Sequence, residues 1–263
     1  MRMIKLATQI VAVLVSASIA FAAQTACPEH FLDGQAPDIL NQKMQARTWE
    51  LCYEGYGAMH SGITKGPLYS AEHLTRDRLK KAKGLVRKNE FHAEPSLPAK
   101  ERSELRYYAR SGYDRGHIAP SADMPTEQAQ YESFSLANIV PQEPENNRGA
   151  WSDVEGAVRH LVNQKGDLYV VTGPLFTGGT LQQIKGGVLV PTHLYKVVWD
   201  ARRGEGGAYL VENTVDARAQ MVPIAQVEQL AGFNIFPAIR GEKKERLMAL
   251  PEPKPYKERR RRQ

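Results

Sequence analysis

Three stretches of this chain gather side chains suited to one kind of chemistry. The first runs Tyr113-Asp114-Arg115-Gly116-His117-Ile118-Ala119-Pro120-Ser121-Ala122-Asp123-Met124, and the second Ser135-Leu136-Ala137-Asn138-Ile139-Val140-Pro141-Gln142. The third is Asn147-Arg148-Gly149-Ala150-Trp151, followed by Glu155 and Arg159. A neutral imidazole such as His117 can take a proton from water near pH 7. An amide oxygen such as that of Asn147 suits a Mg²⁺ ion that keeps most of its water and takes further ligands from a phosphate. Guanidinium groups such as Arg115 and Arg159 can grip phosphoryl oxygens at two points. Together these meet the needs of phosphodiester hydrolysis: a base, and positive charge where negative charge builds.

Spacing supports part of the grouping. Ala150, Trp151, Val154, Ala157, Val158 and Leu161 recur at helical intervals, with Gly149 before the run and Gly166 after it. If that helix includes Asn147, then Asn147, Trp151, Glu155 and Arg159 stand four apart on a drifting stripe that borders the apolar face. Two plainer readings stay open: Glu155 and Arg159 as a surface i,i+4 pair, and Asn147 as a helix cap. The other six histidines (His30, His60, His73, His92, His160 and His193) lack such surroundings and read as surface or structural residues.

The elements that must position these groups read as a mixture. Asp167–Thr172, Gly187–Asp200 and Ala208–Val211 have the Val, Leu and Tyr content of strands, and Ile224–Leu230 reads as a second helix. Strands and helices do not alternate regularly. The expected class is α+β with a mainly antiparallel sheet flanked by helices.

The ends and the charge bound the rest. Arg2 and Lys5, the apolar run Ile10–Ala20 and the small-x-small site Ala20-Phe21-Ala22 read as an export signal over residues 1–22, cleaved to leave a mature chain without a membrane span. Residues 23–251 then form a single domain, and residues 252–263, with Arg259 to Arg262, a disordered basic tail. Cys27 and Cys52 are the two cysteines present; in an oxidising compartment they read as one disulfide. The alternative makes Cys27 a lipid-anchored first residue, although Gln24-Thr25-Ala26 lacks the leucine-like residue expected before it. Without signal and tail the body holds 27 basic and 27 acidic residues, so bulk charge says nothing about nucleic acid. No recognition helix, zinc finger or stacking motif stands out that would read base sequence.

The ordered set resembles the DNA/RNA non-specific endonuclease family of the ββα-metal fold, in its bacterial secreted branch. That family carries Asp-Arg-Gly-His followed by Pro, an Asn…Pro-Gln strand, then Asn-x-Gly-x-Trp with a later Glu and Arg. The likeness runs roughly from Cys52 to Pro237, and Leu68–Leu74 departs from a more usual Trp-led pattern. The resemblance implies a single nuclease domain in which His117, on a hairpin, is the general base facing Asn147. Asn147 would be the single protein ligand of Mg²⁺, for which Mn²⁺ can substitute, and Glu155 would hold a water of the metal shell. Asn138, counted with the catalytic residues, would orient or support the site. Arg115 and Arg159 would contact phosphate, as would an upstream arginine, for which Arg87 is the candidate beside Lys83, Lys88 and Arg110. Asp114 would orient the loop or a neighbouring arginine. The implied substrates are DNA and RNA, held through backbone phosphate and cut to 5′-phosphate ends, in the periplasm or outside the cell. Monomer and homodimer both remain open.

Overall fold

The structure, a computed structural model, describes residues 25–254. The expected signal and all but the first three residues of the expected tail lie outside them. Nine strands and five helices frame the site and its support: β1 Thr48–Cys52, β2 Gly57–Ser61, β3 Gly66–Thr75, α1 Arg76–Ala82, β4 Asp114–His117, α2 Glu127–Ser133, β5 Ile139–Gln142, α3 Pro144–Arg148, α4 Ala150–Lys165, β6 Asp167–Leu175, β7 His193–Asp200, β8 Glu205–Glu212, β9 Gln220–Val222 and α5 Ile224–Ala231.

Seven strands form one antiparallel sheet in the order β9-β8-β7-β6-β3-β2-β1. The fold is thus α+β, as expected. Successive side chains of a strand point to opposite faces, and each face has its own core. On one, Tyr69, Ala71, Val171, Tyr195, Val197 and Trp199 pack against Ile224, Val227 and Ala231 of α5. On the other, Leu74, Val170, Leu194 and Val198 meet Trp151, Val154, Val158, Leu161 and Val162 of α4. Burying each such side chain contributes about 1.5–3 kcal/mol. That burial fixes α4 on the sheet and so fixes whatever α4 carries.

Local chemistry sets the boundaries. Thr75 caps α1 by accepting a hydrogen bond from Arg78 N at 3.1 Å. The Arg76 guanidinium donates to the Asn163 and Gln164 carbonyls near the C-terminal end of α4. The run read as one strand over Gly187–Asp200 is divided: Val188–Leu189 pairs with Gln183–Ile184, and the main-sheet strand starts at His193. Pro191, which has no N–H for a ladder, lies in the gap. The strands β1 to β3 and the helix α1 had no clear signature in the sequence; β3 is buried on both faces over most of its length, which removes the alternation.

Cys27 and Cys52, expected to pair as a disulfide, are free thiols in this structure, Cys27 buried and Cys52 exposed on the edge strand. Burial pushes the Cys27 thiol well above the usual range. Among the described residues no helix is long and apolar enough to cross a membrane.

Candidate active site

A hairpin and two helices build the cleft. β4 and β5 pair antiparallel with His117 opposite Ile139 and Asp114 opposite Gln142. Alternation along β4 puts Arg115 and His117 on one side and Asp114 and Gly116 on the other. Gly116 has to be glycine: a Cβ there would overlap the Gln142 side chain. A cleft of about 240 Å³ is lined by Arg87, Arg115, His117, Asn147, Arg148 and Glu155, with Pro120, Ser121, Ala122 and Ser152 completing its wall. Residues from four separate parts of the sequence therefore converge on one space.

His117 sits against aromatic rings, 4.8 Å from the Phe134 centroid in an edge-to-face arrangement and 5.4 Å from that of Phe91. Its Nε2 is buried without a hydrogen-bond partner. Burial, then the Arg87 and Arg115 charges, push its pKa down to about 3. The imidazole is therefore neutral at pH 7, the form a proton acceptor requires. Arg115 lies 4.2 Å over Phe91 and Arg87 5.3 Å over Phe134. The same two rings thus hold the histidine and both arginines. Phe91 and Phe134 carried no signal in the sequence, because a lone aromatic reads as core until its neighbours are known.

Asn147 is oriented by Asp114. Its Nδ2 donates to Asp114 Oδ2 at 3.0 Å, which commits the amide nitrogen and leaves Oδ1 as the group available to a ligand. Arg148 grips the same carboxylate at both oxygens, 2.9 and 2.7 Å away. Asp114 therefore holds an asparagine and an arginine at once. Among the described residues no group of three or more His, Cys, Asp and Glu could hold a metal ion. A cation held here would have few protein ligands and keep much of its water shell. Asn147 Oδ1 as direct ligand, with the Glu155 carboxylate in the same cleft, suits such an ion.

One expectation needs correction, and two of the expected site residues stand outside the cleft wall. Asn147 does not share a helix with Glu155: α3 ends at Arg148, and Gly149 (φ −108°, ψ −104°) breaks the chain before α4. A side chain at Gly149 would come within 2.7 Å of the Glu145 carbonyl, so the break depends on glycine. Arg159 does not join the cleft wall. Its Nη1 donates to Asp123 Oδ1 at 3.0 Å and its Nη2 lies 3.8 Å from Glu155 Oε2. Asn138 does not reach the cleft either, being fully buried. Its Oδ1 accepts from Ala119 N and Ser70 Oγ, and its Nδ2 donates to the Ala119 and Ser133 carbonyls, all at 2.9 Å. Every polar valence of Asn138 is satisfied, so its role is to pin the loop that follows His117.

Burial raises the Glu155 pKa, with Arg159 and Lys196 opposing it. Arg159 is itself held charged: burial works against it, and Asp123 and Glu155 more than offset that. Arg87 is lowered by burial.

The sequence profile of the DNA/RNA non-specific endonuclease family matches residues 37–241. Nuclease C1 of Cunninghamella echinulata var. echinulata is 36% identical over 203 residues, covering 70% of this chain and 81% of that protein. Mitochondrial endonuclease G of Homo sapiens is 33% identical over 205 residues, covering 71% and 69%. A chain from the crystal structure of the EndoG/EndoGI complex, which concerns the mechanism of EndoG inhibition, matches with a TM-score of 0.70 at 30% identity, over 76% of this chain and 92% of that one. The antiparallel sheet with its flanking helices agrees with the structural likeness, and the chain belongs to the DNA/RNA non-specific endonuclease family.

Proposed function

We propose that this chain is an exported, Mg²⁺-dependent endonuclease that hydrolyses DNA and RNA with little sequence preference, with His117 as general base. One observation carries the reading: a buried, neutral His117 shares a cleft with Arg87, Arg115 and an Asn147 whose amide is turned by Asp114.

In this mechanism His117 takes the proton from a water that attacks phosphorus in line with the 3′ oxygen, which leaves 5′-phosphate ends. Arg115 and Arg87, each stacked on a ring, hold the phosphoryl oxygens as charge accumulates there. Such electrostatic stabilisation is strongest where water is excluded, and the rings of Phe91 and Phe134 shield His117 and both arginines on the side they cover. Mg²⁺ bound through Asn147 Oδ1 would supply further positive charge to the phosphoryl and leaving oxygens. Glu155 would accept hydrogen bonds from water bound in the cleft. None of these groups reads a base edge, so contacts to backbone phosphate alone account for tolerance of sequence and of both sugars.

Export rests on the residue 1–22 signal pattern, with the periplasm or the medium as destination. A Cys27–Cys52 disulfide would follow in that compartment, where the two cysteines of the chain most simply pair with each other. The test is cleavage of long duplex DNA and of RNA by purified mature protein with Mg²⁺, with chelator, and with His117→Ala. Metal- and His117-dependent cutting of both polymers is expected. Binding without cutting under every metal tried would replace this reading with that of an inactive nucleic-acid-binding protein.

A further inference from the structure

The turn Ser121–Asp123 faces two ways. Ser121 and Ala122 belong to the cleft wall, while the Asp123 side chain turns inward and is almost wholly buried. Its Oδ1 accepts from Arg159 Nη1 at 3.0 Å, and its backbone carbonyl accepts from Arg78 Nε at 2.9 Å. Arg78 Nη2 in turn donates to Glu72 Oε1 at 3.1 Å. On the neighbouring strands Lys196, also buried, donates to Thr172 Oγ1 at 2.7 Å and lies 5.6 Å over the ring of Trp151, one helical turn before Glu155. Glu72, Asp123 and Glu155 thus stand with Arg78, Arg159 and Lys196 as three carboxylates and three cations between the sheet and α4. Of these six, Glu155 reaches the cleft.

Burying such a set seldom gains stability over apolar residues of the same volume, whereas removing one member strands its partner. What it does supply is orientation. Arg159 bridges Asp123 and Glu155 with its two terminal nitrogens, so the position of the guanidinium is set from behind, by a residue on the turn that forms the cleft wall.

We propose that Asp123 is a positioning residue of the nuclease site: it anchors Arg159 against Glu155, and Arg159 acts by orienting the Glu155 carboxylate rather than by gripping substrate phosphate. The proposal rests on the nuclease reading above and makes a different demand of Arg159 than a phosphate contact does. A phosphate ligand would show itself in affinity and in salt dependence, since each lost phosphate contact lowers the slope of log affinity on log salt by about 1. A residue that acts through Glu155 changes turnover and cation binding instead.

The experiment uses the mature protein with Asp123→Asn, Arg159→Ala and the double variant. Asp123→Asn keeps the volume and an acceptor oxygen and removes the charge. Both single variants are expected to lower kcat about 10- to 100-fold, the size seen when groups behind a metal site are lost. KM for long DNA stays within about twofold and the salt slope is unchanged, the pattern of groups that make no ground-state phosphate contact. The double variant is no worse than the poorer single, as for residues that act as a unit. Calorimetric titration of the substrate-free protein with Mn²⁺ is expected to weaken by a similar factor, and this readout does not depend on cleavage. Should Asp123→Asn melt well below the parent, Arg159→Lys serves in its place: a lysine can meet one carboxylate but not bridge two, and the same kcat-only loss is expected. Wild-type kcat and Mn²⁺ binding in Asp123→Asn, or in Arg159→Lys where it stands in, would overturn the proposal. So would an Arg159→Ala variant with raised KM and a shallower salt slope. Failure of the parent protein to cut nucleic acid would instead count against the nuclease reading, with the Mn²⁺ titration still deciding for or against the role of Asp123.

Discussion

The two faces of the central sheet are made by the same strands and obey the same alternation, yet they are built differently. Behind the site, Tyr69, Ala71, Val171, Tyr195, Val197 and Trp199 meet α5 in a core of apolar and aromatic residues. Toward the site, Ser70, Glu72, Thr172 and Lys196 replace the apolar side chains at the middle of β3, β6 and β7, where α4 passes over. The first face is the cheaper way to hold a sheet and helix together, because none of these side chains takes a charge out of water. The second holds named groups at named positions. Stability and positioning are thus divided between opposite sides of one sheet.

The sharpest test of this division is a pair of substitutions, one on each side. His117→Ala should lower turnover by about 10²- to 10⁴-fold, the usual loss of a general base, with DNA binding retained by gel shift. Near-normal turnover in that variant would sink the assignment of the base. Trp199→Ala, on the apolar face, should lower the unfolding free energy by about 3–5 kcal/mol in urea melts. Its kcat per folded molecule should stay close to that of the parent; a large loss of kcat would mean that the two faces are coupled.

Smaller effects sharpen the picture within the polar side. Asp114→Ala frees the Asn147 amide and releases Arg148. Activation by Mg²⁺ should then need about 10- to 100-fold more metal, measured as the half-saturating concentration. An unchanged metal requirement would leave Asp114 with a purely structural role. Phe91→Leu keeps bulk and removes the ring beneath Arg115, a contact of about 0.5–2 kcal/mol. KM for DNA should rise while melting changes little.

The pH dependence of stability should also belong to the site side. His117 titrates well below its ordinary value because it is buried beside Arg87 and Arg115. Between about pH 6.5 and 3 the unfolded chain binds the proton that the folded one refuses, so stability is lost as pH falls through that window. Glu72 is displaced the other way, to about 8, by burial and by Asp123. It disfavours the folded state increasingly as pH rises from the ordinary carboxylate range toward 8. His117→Gln should flatten the acid side of the melting-temperature profile and Glu72→Gln the neutral-to-alkaline side. A profile unchanged in both variants would place the pH-sensitive groups elsewhere.

Much of the site was legible in the order of its motifs. His117, Arg115, Arg87, Asn147 and Glu155, all named from residue types and spacing or from resemblance, line one cleft. Helices over 150–165 and 224–231 were visible because apolar residues recur at the helical period on an amphipathic segment. The same reasoning erred at Asn147, since a period says which face a residue shares only while the helix continues, and Gly149 stops it. It left Arg159 between a phosphate contact and an i,i+4 pair with Glu155; that pair forms, while the nearer partner Asp123, 36 residues earlier in the chain, gave no sign in the spacing.

By itself, then, the sequence determined the chemical inventory and the local elements, since residue type, period and turn residues act over a few positions. The tertiary structure alone decided that Arg159 meets Asp123 as well as Glu155, that Phe91 and Phe134 underlie the base and both arginines, and that Asp114 turns the Asn147 amide. Each of these is a contact between segments brought together by packing on the sheet. Its energy depends on distance and burial, which exist only once the chain has folded.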